Sequence, residues 1–318
     1  MIITTLAAMA AGYLLSVMVG TPSAISARRL LSKLCGNLAP KFSRSYLDSE
    51  DGQHTGGGFF IALVMLIVTL PTALILVLLY WKLPIAALVV DALICWSCLD
   101  IRESSRLSQA AARCVRSGNL TKASKVATAL GKVDCSELGS EDIIRASVQG
   151  TADSTVDSAS LLFYMALLSG FGGILYRAVD AAASANVGEA FLTPSKKVRE
   201  FLCFLPGKIA AGIMLVDALF LRMNVHSAER VLFTDRKKCA RRSVGGCRAV
   251  LAGLLGISLL PEVVLTESHN RRTLRIGEQV TPPDSQDISI ANQLMLGTAF
   301  IMMALFFMIK LTVGIYFR

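Results

Sequence analysis

Long apolar stretches alternate with polar ones along the whole chain, and this pattern predicts membrane helices. A transmembrane helix needs about 20 consecutive, mostly apolar residues. Six apolar runs meet or approach that length, at residues 1–20, 59–80, 83–99, 159–176, 201–221 and 290–317. A seventh run, 249–260, is too short to span and predicts a buried or re-entrant helix. The pattern therefore predicts an all-α, polytopic membrane helical bundle.

Glycine and proline modify three of these runs. Gly56–Gly58 precede the second run and predict a flexible helix entry, and Pro71 predicts a kink within it. Pro206 and Gly207, followed by a lysine, interrupt the run 201–221 and predict a broken or partly embedded helix. Glycines near 170 weaken the run 159–176, and in a bilayer they allow helices to approach closely.

Two polar segments give the orientation and the domain organisation. Residues 100–158 carry eight basic and eight acidic side chains with apolar residues at helical spacing, and Ser140 with the acids after it marks a helix start. Residues 222–248 hold eight Lys or Arg against two acids, which predicts the cytoplasmic side. We predict membrane helices and a first cytoplasmic loop at 1–99, a cytoplasmic helical lobe at 100–158, and a C-terminal membrane part at 159–318.

Composition supports the membrane assignment and removes other classes. With 53% hydrophobic residues, 17% charged residues and a mean hydropathy of +0.57, the chain is outside the range of ordinary soluble domains. Its net charge of +9 reports orientation in the bilayer, since no basic stripe with interleaved aromatics indicates nucleic acid. Of the eight cysteines, Cys95, Cys98 and Cys203 lie inside apolar runs and the others follow no metal-ligand spacing, so reduced thiols are expected.

Candidate chemistry lies beside and inside the apolar runs. Asp91 is near the middle of the third run, and an intramembrane carboxylate indicates either a functional site or a group that faces water or is protonated. Polar side chains also flank the run 159–176 on both sides. They are Arg145, Asp153, Asp157, Arg177 and Asp180.

Seven short motifs, in order, resemble the CobD/CbiB family of cobalamin biosynthesis. They are Gly20-Thr-Pro22, Gly118-Asn-Leu120, Val133-Asp134-Cys135, the block from Ile144 to Tyr164, Tyr176-Arg177-Ala178-Val179-Asp180, Ala252-Gly253-Leu-Leu-Gly256, and Ile276-Gly277 with Asp287-Ile288 and Ala291. The resemblance covers nearly the whole chain. It implies a multi-pass protein of a bacterial or archaeal inner membrane that joins an aminopropanol (phosphate) arm to the carboxylate of cobyric acid by amide formation.

The resemblance also implies site residues and cofactors. It assigns Asp157, Asp153 and Asp134 as catalytic, Arg145, Tyr176, Arg177 and Asp180 as substrate-binding, and Asp157 with Asp153 as magnesium ligands. An amide-forming ligase of this kind is expected to use ATP and magnesium, with a corrinoid and an aminopropanol (phosphate) as partners. The lipid bilayer is a further expected partner, nucleic acid is not, and a homo-oligomer is compatible with the sequence.

Several family residues are replaced, which leaves a second hypothesis open. The family's Glu-Asn is here Asp153-Ser154, and the family stretch that ends in glutamate is here Ser243 to Arg248. An aspartate of the family is an alanine at 183, and others near Pro206 are replaced by Arg199 and its neighbours. The alternative is therefore a non-catalytic, AmpE-like membrane relative that senses, scaffolds or binds. Arg145 has an alternative of its own, a helix-surface pair with Glu141 or Asp142.

Overall fold

The fold is helical, as the sequence predicts. A computed structural model describes residues 2–22, 25–45, 50–131, 133–265 and 271–316. The helices within these ranges are α1 Ile2–Met18, α2 Ala27–Ser45, α3 Glu50–Lys82, α4 Pro84–Cys98, α5 Ile101–Arg116, α6 Leu120–Gly131, α7 Ser140–Ala183, α8 Glu189–Phe220, α9 Val225–Asp235, α10 Arg242–Leu255 and α11 Ser285–Tyr316. A 3-10 turn, Arg236–Lys238, follows α9.

In the described part of the chain a small two-stranded sheet, which the sequence did not predict, accompanies the helices. Its strands are β1 Glu262–Leu265 and β2 Arg271–Leu274. They pair antiparallel, with Glu262 opposite Leu274.

Within the described residues, five helical stretches are long and apolar enough to cross a membrane, so the chain is a multi-pass membrane protein by length and composition. They are Asp51–Lys82, Pro84–Arg116, which joins α4 to the polar α5, Ser140–Ala183, Glu189–Phe220 and Ser285–Tyr316. The apolar part of α1, Thr4–Met18, is shorter. The predicted buried helix near the C-terminus is α10, which begins at Arg242 and is buried over most of its length.

Two local predictions from glycine and proline are wrong. The glycines at 56–58 do not open α3, because the helix begins six residues earlier, at Glu50, and runs through them. Helix α8 is likewise unbroken through Pro206 and Gly207. Proline has no N–H for the carbonyl four residues before it. The Tyr164 hydroxyl donates to that carbonyl, Leu202 O, at 3.0 Å and so satisfies it.

Gly207 serves a close helix contact. A Cβ placed on it would lie 2.2 Å from the Ser243 carbonyl oxygen of α10. Only glycine allows the backbones of α8 and α10 to approach this closely. The Pro-Gly pair is thus accommodated by packing partners, which the local sequence does not reveal.

Helix α7 begins at Ser140 as predicted, but it folds back on itself at Ser169. Ser169 has φ 55° and ψ −142°, outside the helical region. The rings of Tyr164 and Tyr176 stack with centroids 6.2 Å apart. In a straight helix, residues twelve positions apart are separated by about 18 Å. The apolar run 159–176 is therefore not one straight helix, because two antiparallel arms, 160–168 and 170–183, meet within it.

Contacts divide the chain into two compact units. The first comprises Met1–Asp100, Ser160–Leu202 and Ala304–Arg318, and the second Ile101–Ala159 and Cys203–Met303. Phe60, Val64 and Phe191 belong to the core of the first unit, and Ala123, Ala127 and Ile143 to a core of the second. The predicted boundaries at 99 and 158 separate membrane from solvent. Packing does not test that distinction, so they stay predictions.

Candidate functional site

In the second unit, two arginines hold the Asp153 carboxylate. The Arg248 side chain on α10 donates from Nε to Oδ1 at 2.7 Å and from a terminal nitrogen to Oδ2 at 2.8 Å. Arg241, just before α10, also donates to Oδ2. A bidentate pair of this kind is among the stronger polar contacts in proteins. We call these three residues the Asp153 cluster.

The Asp153 cluster extends from the protein interior to the surface. The Arg248 side chain is 4% exposed and Arg241 is 39% exposed. Arg248 also contacts Cys239 Sγ at 3.4 Å. Two guanidinium groups around one carboxylate give the cluster a net positive charge, and Arg241 carries that charge to the surface.

The predicted magnesium ligands are not grouped as a metal site. Asp153 and Asp157 are four residues apart, on one side of α7, and Asp157 is half-buried. A metal ion at Asp153 would have to compete with both arginines for its oxygens. In the parts of the chain that the structure describes, no group of three or more His, Cys, Asp or Glu side chains is placed to hold a metal ion. The donor set at Asp153 therefore does not fit magnesium in this conformation.

The other predicted residues of the second unit lie in local contacts. Asp134 is exposed and accepts from the Ser136 N–H at 3.0 Å and the Ser136 hydroxyl at 2.7 Å. These hydrogen bonds lower the pKa of Asp134. Their contribution is present at neutral pH and is lost as the pH falls through the lowered value. A catalytic role for Asp134 stays a prediction.

Arg145 forms the ion pairs on the helix surface that the sequence offered as the alternative to substrate binding. Its guanidinium contacts Asp142 at 2.5 Å and Glu141 at 3.2 Å. Gln279 accepts a third hydrogen bond, also at 3.2 Å. These contacts account for its position without a substrate, and the substrate-binding role stays a prediction.

In the first unit, Arg177 is the centre of a buried ion network. It contacts Asp100 at 2.9 Å and Asp180 at 3.6 Å, and its Nε donates to the Cys98 carbonyl at 2.8 Å. All three charged side chains are 3% exposed. Arg199 of α8 contacts the other oxygen of Asp180 at 2.8 Å. We call Asp100, Arg177, Asp180 and Arg199 the Arg177 cluster.

The structure brings some predicted residues together and adds others. Tyr176, Arg177 and Asp180 are neighbours on the second arm of α7, and Tyr176 is fully buried. Sequence reasoning missed Asp100 and Arg248 as partners. Two signals were available. Asp100 lies directly after an apolar run, and Arg248 stands where the family resemblance places a glutamate. Neither signal identifies the opposite charge that each residue meets.

The fold and these two clusters define a class, a multi-pass helical membrane protein with buried ion networks. The family described as CobD/Cbib protein matches residues 9–295, so this chain belongs to that family. The chain is 24% identical over 259 residues to the cobalamin biosynthesis protein CobD of Clostridium perfringens, covering 78% of this chain and 80% of the relative.

Other relatives come from bacteria and archaea. The cobalamin biosynthesis protein CobD of Leptospira interrogans is 26% identical over 73% of this chain and 74% of its own length. The probable cobalamin biosynthesis protein CobD of Methanococcus maripaludis is 27% identical over 48% of this chain and 52% of its own length. No solved structure matches the chain.

Proposed function

We propose that this protein works in cobalamin biosynthesis in a bacterial or archaeal cell membrane. The observation that carries the proposal is the family match over residues 9–295, which includes most of both compact units. The reaction we propose is amide formation between a carboxylate of cobyric acid and an aminopropanol (phosphate) arm. ATP would supply the activation that an amide needs at neutral pH.

The Asp153 cluster is the part of the chain best suited to an anionic substrate. It carries more positive than negative charge, and Arg241 is the arginine that solvent reaches. A corrinoid carboxylate or an aminopropanol phosphate are both anions that a guanidinium group binds well. In this proposal Arg241 binds the anion and Arg248 holds Asp153 in position. Asp157 is the catalytic carboxylate.

A second function is favoured by the same cluster. Arg248 stands where the family has glutamate, and it forms the bidentate pair with Asp153. This exchange replaces a neighbouring negative charge with a positive one that engages the Asp153 oxygens. The alternative is a non-catalytic relative that binds a corrinoid or scaffolds other proteins of the pathway.

Complementation separates these two functions. The chain is expressed in a strain that lacks its cobinamide-forming enzyme, and cobalamin-dependent growth is scored. Growth is the expected result for the enzyme. No growth from well-expressed, membrane-inserted protein would refute amide formation and support the non-catalytic function.

Two variants sharpen the test. Asp157→Ala should abolish complementation, whereas Glu137→Ala, at an exposed acid of the same unit, should leave it intact. Unchanged growth with Asp157→Ala would remove Asp157 from the site. Arg241→Gln should weaken growth at limiting substrate more than at high substrate, because it removes a binding charge.

A further inference from the structure

The fold-back in α7 is sharp and lies within the first unit. A Cβ on Gly172 would lie 2.1 Å from the Tyr164 carbonyl oxygen, and one on Gly173 would lie 3.3 Å from Met165 Cγ. Residues eight positions apart in a straight helix are separated by about 12 Å. The two arms therefore pack directly against each other, and glycine on the second arm permits this approach.

The apolar part of neither arm is long enough to cross a bilayer. Helix α7 runs unbroken from Ser140 to the fold, but Asp153 and Asp157 precede its apolar part. At 1.5 Å per residue, the apolar part 160–168 is about 14 Å long and the arm 170–183 about 21 Å. The hydrocarbon core is about 30 Å thick. The apolar run 159–176 reaches a spanning length only when residues on both sides of Ser169 are counted as one helix.

The tip of the hairpin is apolar outside and polar inside. Leu167 and Leu168, next to the fold, are 61% and 51% exposed, which suits lipid better than water. Ser169 itself is 3% exposed. Irregular backbone at membrane depth is tolerated where protein buries it and satisfies its polar groups.

Asp91 satisfies the polar groups at this tip. Its Oδ2 accepts from the Ser169 hydroxyl at 2.6 Å and its Oδ1 from the Gly170 N–H at 2.8 Å. Gly170 is the first residue of the second arm, so its N–H has no carbonyl partner within that helix. The Tyr80 hydroxyl of α3 also donates to Asp91, at 2.8 Å. Asp91 is fully buried and lies in the middle of α4.

We propose that residues 160–183 form a re-entrant membrane hairpin whose tip Asp91 anchors at mid-depth. The hairpin enters and leaves on one side of the membrane, so Glu141 and Asn186, before and after it, lie on the same side. This assignment explains why a carboxylate stands inside α4. It also makes Asp91 the anchor of the arm that carries Arg177 and Asp180. The proposal rests on the fold alone and is independent of the proposed reaction.

A designed disulfide tests the fold-back. In a Cys98→Ala background, Met165→Cys and Gly173→Cys place two thiols where a 3.3 Å approach is present. Oxidation in native membranes should give an intramolecular disulfide, detected as a linked peptide by mass spectrometry. The matched control is Leu66→Cys with Leu74→Cys, eight positions apart within α3, and it should give none. A Met165–Gly173 pair that fails to crosslink, like the control, would overturn the hairpin.

Labelling from one side tests re-entrance. In a Cys114→Ser background the remaining seven cysteines are buried, so a single exposed cysteine can be followed. Glu141→Cys and Asn186→Cys should react with an impermeant maleimide from the same side of oriented vesicles. His54→Cys and Lys82→Cys, near the two ends of α3, provide the opposite-side reference. Labelling of Glu141→Cys and Asn186→Cys from opposite sides would show a span and refute re-entrance.

The anchor is tested in the crosslinking background. Asp91→Ala removes both hydrogen bonds from Asp91 to the tip and should slow Met165–Gly173 crosslinking roughly 25-fold, at about fivefold for each buried hydrogen bond. Asp91→Asn keeps one acceptor oxygen and should fall between Asp91→Ala and the parent, which gives a readable result where alanine prevents folding. Unchanged crosslinking in both variants would remove Asp91 as the anchor.

Discussion

Removing the Arg177 guanidinium should destabilise the first unit strongly. Arg177→Met keeps much of the side-chain length and removes the charge. The substitution leaves Asp100 without its 2.9 Å partner and the Cys98 carbonyl without its donor. It also removes the 3.6 Å contact to Asp180.

The expected loss follows from the burial of the pair. Arg177 and Asp100 are both 3% exposed, and removing one partner of a buried ion pair costs about 3–5 kcal/mol. Arg28 offers a matched control on the same carboxylate, at 3.9 Å and with 33% of its side chain exposed. Because Arg28 is half-buried and its contact with Asp100 is long, Arg28→Met should lower the free energy of unfolding by about 1 kcal/mol or less.

Denaturant titration of purified protein in mild detergent, followed by circular dichroism, measures both variants. Arg177→Met with Asp100→Asn should recover part of the loss, because the double variant no longer buries the Asp100 charge in the absence of Arg177. Equal effects of Arg177→Met and Arg28→Met would refute the reasoning. Such a result would mean that burial of the Arg177 cluster does not determine its contribution.

Two further predictions concern thiols and glycines. Burial raises the pKa of the Cys247 thiol to about 12, so this thiol stays protonated at pH 7 to 9. Half-buried Cys114 should therefore be alkylated before Cys247, as measured by mass spectrometry. Earlier alkylation of Cys247 would contradict its burial. Gly253→Ala should cost about 1–3 kcal/mol, because its Cβ would lie 2.5 Å from the Ala228 Cα. Gly36→Ala, with open space around its Cβ, should stabilise α2 by about 0.5–1 kcal/mol in the same denaturant assay, and similar effects at both glycines would refute this packing argument.

Part of the candidate site followed from the sequence. Arg177 and Asp180 are three residues apart on one helix, a spacing that places them on one face. Their partner Asp100 and the pair of Asp153 with Arg248 did not follow. Asp153 and Arg248 are 95 positions apart, and no local pattern states which distant charge a residue will meet. The metal-ligand role that the resemblance implies for Asp153 stays a prediction, and in this structure arginines occupy its oxygens.

The sequence by itself determined the helical membrane class and the family. Apolar length is a local property that the thickness of the bilayer makes decisive, so α3 and α11 could be placed from residue type alone. Tertiary structure decided how those helices are used. Pro206 does not break α8, because Tyr164 satisfies the freed carbonyl. The apolar run around Ser169 is folded back rather than straight, and Asp91, 78 positions away in the chain, accepts the hydrogen bond from the Ser169 hydroxyl. Such partners come together only in the folded chain, and burial makes their contacts strong enough to override the local pattern.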